Sequence, residues 1–116
     1  MKFQITVTEQ AQRDIEGIYE YIAFTLMEPS TASKQISRIE KAVYSLEQMP
    51  ERFHQYAKEP WKSRNLRVMP VDNFLIFYLV DLANNTVTVL RAMYGRRDAT
   101  RQLDTVNGDI ERQNRP

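Results

Sequence analysis

The sequence predicts an α+β fold in which an N-terminal strand precedes a two-helix antiparallel hairpin and a three-stranded antiparallel meander, in the order β-α-α-β-β-β. The first observation is the unbroken apolar run at residues 74–80, which has the length of a strand buried on both faces. The second is the β-branched run at residues 86–94, which follows an Asn-containing turn. The third is a pair of segments with helical apolar spacing between residues 8 and 50, whose apolar faces need a sheet to pack on.

The first strand and the first helix are predicted from adjoining patterns. Residues 2–7 alternate between apolar and polar side chains, which is typical of a half-buried strand. Thr8 is the predicted N-cap of an amphipathic helix that extends to residue 27. Gly17 lies inside this helix and costs about 1 kcal/mol relative to alanine. A close approach by another element would explain that glycine.

The second helix and the first meander strand are bounded by prolines. The helix is predicted to begin near Pro29, which is tolerated in a first turn, and to end just before Pro50. Residues 51–63 form a mixed connection, and the first meander strand covers residues 64–69 and ends at Pro70. The helical crossover is long enough for the N-terminal strand to pair in parallel with the last strand or close to it.

The composition is that of one globular domain, with 116 residues, 42% apolar residues and no cysteine. We expect residues 1–99 to form this domain and residues 100–116 to form a polar, partly disordered tail. No apolar run reaches the length of about 18 residues that a membrane span needs. The N-terminus lacks the apolar region and cleavage site of a signal peptide, so we expect a cytoplasmic protein without membrane contact.

The charges are unevenly distributed along the chain. Residues 1–57 carry 6 Lys and Arg against 8 Asp and Glu, whereas residues 58–101 carry 8 against 4. The basic half contains the predicted meander and suggests a phosphate-rich or acidic partner. The alternative is an ordinary solvated sheet face.

The catalytic chemistry open to this sequence is narrow. There is one histidine, no cysteine and no carboxylate cluster at metal-ligand spacing, so we expect no metal site and no cofactor. His54 is the only candidate general base, and a lone histidine in a connection is more often a surface residue. The side chains that remain for a catalytic or binding role are those of arginine and tyrosine.

A group of basic and tyrosine side chains is predicted near the ends of the meander strands. As target- or nucleic-acid-binding residues we predict Lys62, Arg64, Arg91, Tyr94 and Arg96. Strand ends meet in a meander, so these groups can line one concave surface, beside a sharp turn at Gly95. Guanidinium groups bind phosphate in bidentate fashion and can stabilise a pentacovalent phosphate without a metal, as a metal-free ribonuclease would require. Alternatively, the arginines are rim charges or pair with neighbouring groups to hold the strand end.

The order and spacing of five segments resembles the RelE/ParE superfamily of type II toxin–antitoxin toxins. These segments are residues 8–11, 14–22, 46–50, 74–81 and 89–98, the last reading Val-Leu-Arg-Ala-Met-Tyr-Gly-Arg-Arg-Asp. The resemblance implies a small toxin that a cognate antitoxin protein wraps and neutralises, so that the two form a hetero-oligomer. It also implies one of two targets. RelE-like members cut mRNA in the ribosomal A site, whereas ParE-like members poison DNA gyrase and have no known nuclease activity.

The nuclease pattern of this superfamily fits the sequence only in part. Carried over by resemblance, catalytic roles fall on Arg67 and Arg97, and two further expected groups fall on Leu75 and near Leu103. Because those two are apolar, the resemblance favours a ParE-like growth inhibitor that acts on gyrase. The alternatives are a RelE-like mRNA endoribonuclease, and a family member that binds an antitoxin but has lost its toxicity.

Overall fold

The protein is described by a computed structural model that covers residues 2–95. The elements in chain order are β1 (Gln4–Val7), α1 (Glu9–Glu20), a π-helical turn (Tyr21–Thr25), α2 (Pro29–Tyr44), β2 (His54–Gln55), β3 (Leu66–Val71), β4 (Phe74–Asp81) and β5 (Thr86–Tyr94). The predicted α+β class and element order are confirmed. The two-residue strand β2 adds a fifth strand to the predicted four, and the predicted tail at residues 100–116 lies outside the described part.

The five strands form one sheet in the order β1-β5-β4-β3-β2. β1 pairs with β5 in parallel, with Gln4 opposite Thr86, and the other neighbouring strands pair in an antiparallel manner. The parallel contact follows from the helical hairpin, because a crossover of that length returns the chain to the same end of the sheet. This confirms that the first strand pairs with the last.

β4 is the central strand, and its side chains alternate between two apolar cores. The even-numbered residues of 74–80 pack beneath the helices, against side chains that include Ile39 and Leu46. The odd-numbered residues of 75–79 pack on the opposite face with Trp61, which the connection before β3 folds over the sheet. The prediction of a strand buried on both faces is therefore confirmed.

The start of α1 agrees with the prediction. The Thr8 hydroxyl oxygen accepts a hydrogen bond from the Ala11 N–H at 3.1 Å, and the same hydroxyl donates to the Leu90 carbonyl at 3.3 Å. The second bond ties the helix N-terminus to β5. One N-cap residue thus satisfies a helix amide and fixes where the hairpin leaves the sheet.

The end of the first helix differs from the prediction of a regular helix to residue 27. The α-helical hydrogen bonding stops at Glu20, and a π-helical turn follows in which the Leu26 N–H donates to the Tyr21 carbonyl at 3.0 Å. Met27 then has a positive φ of 57°, which turns the chain into α2. Within residues 2–95 no other element approaches Gly17, because a Cβ built there meets nothing within 4 Å.

β3 continues through Pro70 to Val71, beyond the predicted end. β2 pairs only with Arg67 and Val68, so Pro70 lies where β3 is the edge of the sheet. A residue without an N–H is tolerated at an edge, which explains the longer strand.

The turn between β3 and β4 is bonded to α2. The Asp72 carboxylate accepts hydrogen bonds from Arg38 Nε at 2.7 Å and from the Gln35 amide at 2.9 Å. The Arg38 hydrogen bond, followed by that of Gln35, lowers the pKa of Asp72 below its usual value. These bonds anchor the β3–β4 turn to α2 of the helical hairpin.

Candidate functional site

Arg91, a predicted binding residue, is paired with Asp14 of α1. Its Nε lies 2.7 Å from Asp14 Oδ2 and its Nη2 lies 3.1 Å from Asp14 Oδ1. The side chains of Arg91 and Asp14 are only 13% and 9% exposed. Asp14 Oδ2 also accepts the Ala92 N–H at 3.0 Å. β1 pairs with β5 only as far as Val89, so it offers no carbonyl to the Ala92 N–H. The Asp14 carboxylate is the hydrogen-bond acceptor for this amide instead.

Arg67, one of the two predicted catalytic residues, holds the connection that follows α2. Its Nη1 donates to the carbonyls of Glu51 and Phe53, both at 3.0 Å. Its Nη2 lies 3.1 Å from the Glu51 carboxylate, and its Nε donates to Asn65 Oδ1 at 3.1 Å. With the side chain 17% exposed, these bonds account for most of the guanidinium donors. The geometry gives Arg67 a structural role, and its catalytic role stays a prediction.

Lys62 and Arg64 lie in a short 3₁₀ turn that covers the sheet face opposite the helices. The Arg64 guanidinium is 5.4 Å from the centre of the Trp61 ring, and the Lys62 carbonyl accepts a hydrogen bond from the Gln55 amide at 2.9 Å. Arg64 also lines an open depression of about 630 Å³ next to the β4–β5 turn. These two residues therefore occupy one surface, on the Trp61 side of the sheet.

Tyr94 is the last residue of β5 and is 45% exposed. Its ring meets the Phe74 ring edge-on with the centroids 6.0 Å apart. Gly95 follows in a turn, as predicted, but its φ is not positive, so its backbone conformation does not by itself require a glycine. Instead its N–H donates to the Asn73 carbonyl at 2.9 Å, and an added Cβ would lie 3.3 Å from that oxygen. Close approach of two backbones therefore favours a glycine here.

The described candidates do not gather around one concave surface. Arg91 bonds to α1, Arg67 bonds to the segment after α2, and Arg64 lies over Trp61. Among residues 2–95, no group of three His, Cys, Asp or Glu side chains is arranged to hold a metal ion. Three residues of the predicted pattern lie outside the described part: Arg96, Arg97 and Leu103.

Leu75 occupies the position where the nuclease pattern expects a basic group. It packs with the apolar cluster around Trp61, and its Cγ would lie 3.4 Å from a Cβ at Gly95. His54 is exposed on the edge strand β2. In the part of the chain that the structure describes, the arrangement offers binding surfaces rather than an assembled acid–base site.

The sequence analysis missed an exposed apolar surface at the end of the helical hairpin, which we call the hairpin tip (residues 17–28). Its exposed large apolar side chains are Tyr21, Phe24, Leu26 and Met27. The helical pattern had assigned Leu26 to the buried face. The overlooked signal was a stretch rich in large apolar residues in which every charge is acidic.

No helix within residues 2–95 combines the length and apolar character that a membrane span requires.

Three solved structures are similar in fold. The chromosomal ParDE toxin–antitoxin system from P. aeruginosa matches with a TM-score of 0.67 and 20% identity, covering 80% of this chain and 96% of that chain. The RelBE2 toxin–antitoxin complex from Mycobacterium tuberculosis matches with a TM-score of 0.58 and 17% identity, over 81% and 92% of the two chains. An archaeal RelE–RelB complex from Pyrococcus horikoshii matches with a TM-score of 0.59 and 14% identity, covering 84% of this chain and 99% of that chain.

At these identities, the likeness to solved structures concerns the fold. Comparison with curated protein sequences finds no match. The family model that describes the ParE toxin of the type II toxin–antitoxin system parDE matches residues 5–99, which is most of the chain and includes, apart from Gln4, both helices and the five strands described above. The chain belongs to the ParE toxin family of type II toxin–antitoxin systems.

Proposed function

We propose that this protein inhibits growth by binding DNA gyrase, and that it does not cut mRNA. The observation that carries the proposal is the engagement of Arg67 and Arg91 in internal ion pairs, each with its side chain less than one-fifth exposed. A metal-free nuclease needs guanidinium groups aimed at the phosphate where charge develops. The guanidiniums of Arg67 and Arg91 are bonded to carboxylates, and they would have to break those bonds before they could stabilise a phosphate.

The sheet face opposite the helices supports the same choice. Its residues Leu75, Phe77 and Leu79 form one apolar surface with Met93, and Trp61 packs over it. These apolar side chains cannot themselves bind phosphate or transfer a proton, and Lys62 and Arg64 are basic groups on that side of the sheet. The apolar cluster stabilises the fold from the second side of β4.

We also propose a cognate antitoxin as the neutralising partner, since the three similar solved structures are toxin–antitoxin systems or complexes. Its C-terminal part binds as an extended, partly helical segment over the helical hairpin and the sheet. The edge of β3 beyond Val68 is uncovered by β2, and an added strand can pair there except at Pro70, which has no N–H to donate. The exposed Lys58 and Lys62 belong to the basic half that attracts carboxylates. Binding should weaken between low and high salt, and an affinity that does not change with salt would contradict this charge contribution.

Induced expression with and without the neighbouring antitoxin tests the function. We expect growth arrest with a DNA damage response, relieved by the antitoxin, and we expect purified gyrase to be inhibited by the purified toxin. Cleavage of mRNA in the ribosomal A site without a DNA damage response would show a RelE-like endoribonuclease instead. Absence of any growth arrest at matched protein levels would show a family member that is not toxic.

A further inference from the structure

We infer that the hairpin tip is the surface with which this toxin contacts its protein target, and that it fits a basic surface with an apolar groove. The inference rests on the proposed function, because it assigns to that function a specific surface.

The apolar character of the tip is concentrated and exposed. Met27 is 81% exposed, Phe24 is 70%, Tyr21 is 56% and Leu26 is 50%. Single exposed apolar residues are ordinary, whereas four within seven consecutive positions form a patch of the kind that marks interaction sites. Aromatic and methionine side chains are also the types enriched at the centres of protein interfaces.

The charges around this patch indicate what it binds. The sequence has no lysine or arginine between Arg13 and Lys34, while Glu16, Glu20 and Glu28 are exposed there. An acidic rim repels nucleic acid and anionic membranes, and it also repels a second copy of the same tip. A protein surface that presents lysine or arginine around an apolar groove is complementary to it.

The tip is built as a small structure of its own. Ile22, Ala23 and Ala32 form a buried cluster separate from the two sheet cores, and Tyr19 meets Phe24 edge-on at 6.4 Å. The π-helical turn carries Tyr21 and Phe24 on a hydrogen-bonded backbone, with Leu26 and Met27 directly after it, and such turns occur frequently at functional sites. A surface that is ordered before binding loses less entropy on association.

Gly17 adds an independent observation. It is exposed, it lies one helical turn before Tyr21, and a Cβ there would meet nothing within 4 Å. Nothing in the described chain requires a glycine at this position, although it lowers helix stability. A partner backbone that approaches the helix at Gly17 gives the residue a physical reason.

The experiment compares the toxin with the double variant Phe24→Ser/Met27→Ser. The matched control is Tyr44→Ser/Met49→Ser, which removes two apolar side chains that are 63% and 76% exposed elsewhere on the surface. Binding of each protein to immobilised, purified DNA gyrase is measured, together with growth arrest on induction. We expect the tip variant to bind about tenfold more weakly or worse and to lose toxicity, while the control behaves like the wild type.

Two further variants separate docking from folding. Glu20→Lys/Glu28→Lys should weaken gyrase binding at low salt, whereas the control Glu40→Lys on α2 should not. Gly17→Ala should raise the melting temperature and yet weaken binding, which a folding defect cannot do. Unchanged binding by Gly17→Ala would overturn the close approach assigned to Gly17.

The outcomes distinguish the inference from the proposed function. If the wild type binds gyrase and the tip variants bind equally well, the inference is overturned and the proposed function stands. If the wild type does not bind gyrase or arrest growth, the proposed function fails and the inference fails with it. If the tip variants lose the antitoxin in co-purification while keeping toxicity, the tip belongs to the antitoxin interface and the inference is overturned.

Discussion

Removing the Asp14 carboxylate should destabilise the fold more than any exposed charge change on α1. Asp14→Ala leaves the Arg91 guanidinium without its bidentate partner and the Ala92 N–H without its acceptor. Breaking a buried ion pair costs about 3–5 kcal/mol, and a lost acceptor for a buried amide adds about 1 kcal/mol. Because the pair is not fully buried, we take roughly 3–5 kcal/mol for the whole change in the free energy of unfolding.

This change is measured by thermal unfolding, with circular dichroism as the probe. A loss of that size corresponds to a melting temperature lower by roughly 10–20 °C for a domain of this length. The matched control is Arg13→Ala, the adjacent residue, whose ion pair with Glu9 is long at 4.0 Å and well exposed. That variant should lose no more than about 0.5 kcal/mol.

Two additional variants test the physical reasoning about Asp14. Asp14→Asn keeps an acceptor for Ala92 and loses the charge, so its loss should be intermediate, at about 1.5–3 kcal/mol. Asp14→Ala combined with Arg91→Ala should cost less than the sum of the two single changes, because the stranded guanidinium is gone. A loss below about 1 kcal/mol for Asp14→Ala would refute the assignment of a structural role to this pair.

The remaining predictions concern stability, pH and toxicity. Gly17→Ala should raise the free energy of unfolding by about 0.5–1 kcal/mol in chemical denaturation, and a decrease would contradict the open space at this position. Burial raises the pKa of Tyr78 to about 12, whereas an unfolded tyrosine titrates near 10. The unfolded state therefore releases the proton first, and wild-type stability should fall by up to about 2–3 kcal/mol as pH rises from 10 to 12. Tyr78→Phe should lose about 1–2 kcal/mol at neutral pH, because the buried hydroxyl donates to Pro50 at 2.6 Å, and should lack this alkaline decline. Arg97→Ala should weaken growth arrest at matched protein levels while Arg112→Ala should not, and equal toxicity of wild type and Arg97→Ala would remove Arg97 from the site.

Local patterns in the sequence were sufficient for the fold class and for the order of the two helices and the four longer strands. The apolar run at residues 74–80 required cover on both faces, and the structure supplies helices on one side and Trp61 on the other. Thr8 marked the helix start because an N-cap acts on an amide only three residues away. Strand and helix periodicity are properties of neighbouring residues, so one chain is enough to recognise them.

The roles of the charged residues depended on tertiary structure. Arg91 and Asp14 are 77 residues apart in the chain, and only the packing of α1 beside the end of β5 brings them together. Arg67 likewise reaches back to Glu51, a structural contact that its position in the sequence did not indicate.

The hairpin tip also separates what local sequence patterns predict from what tertiary contacts decide. Helical spacing predicted a buried face through Leu26, whereas the π-helical turn changes the spacing after Glu20 and leaves that side chain half exposed. The sequence by itself determined the class, the order of the elements and the family resemblance, because these depend on local periodicity and on the order of segments. Only the tertiary structure decided which charges are paired and which apolar residues stay exposed, because both depend on contacts between residues distant in the chain.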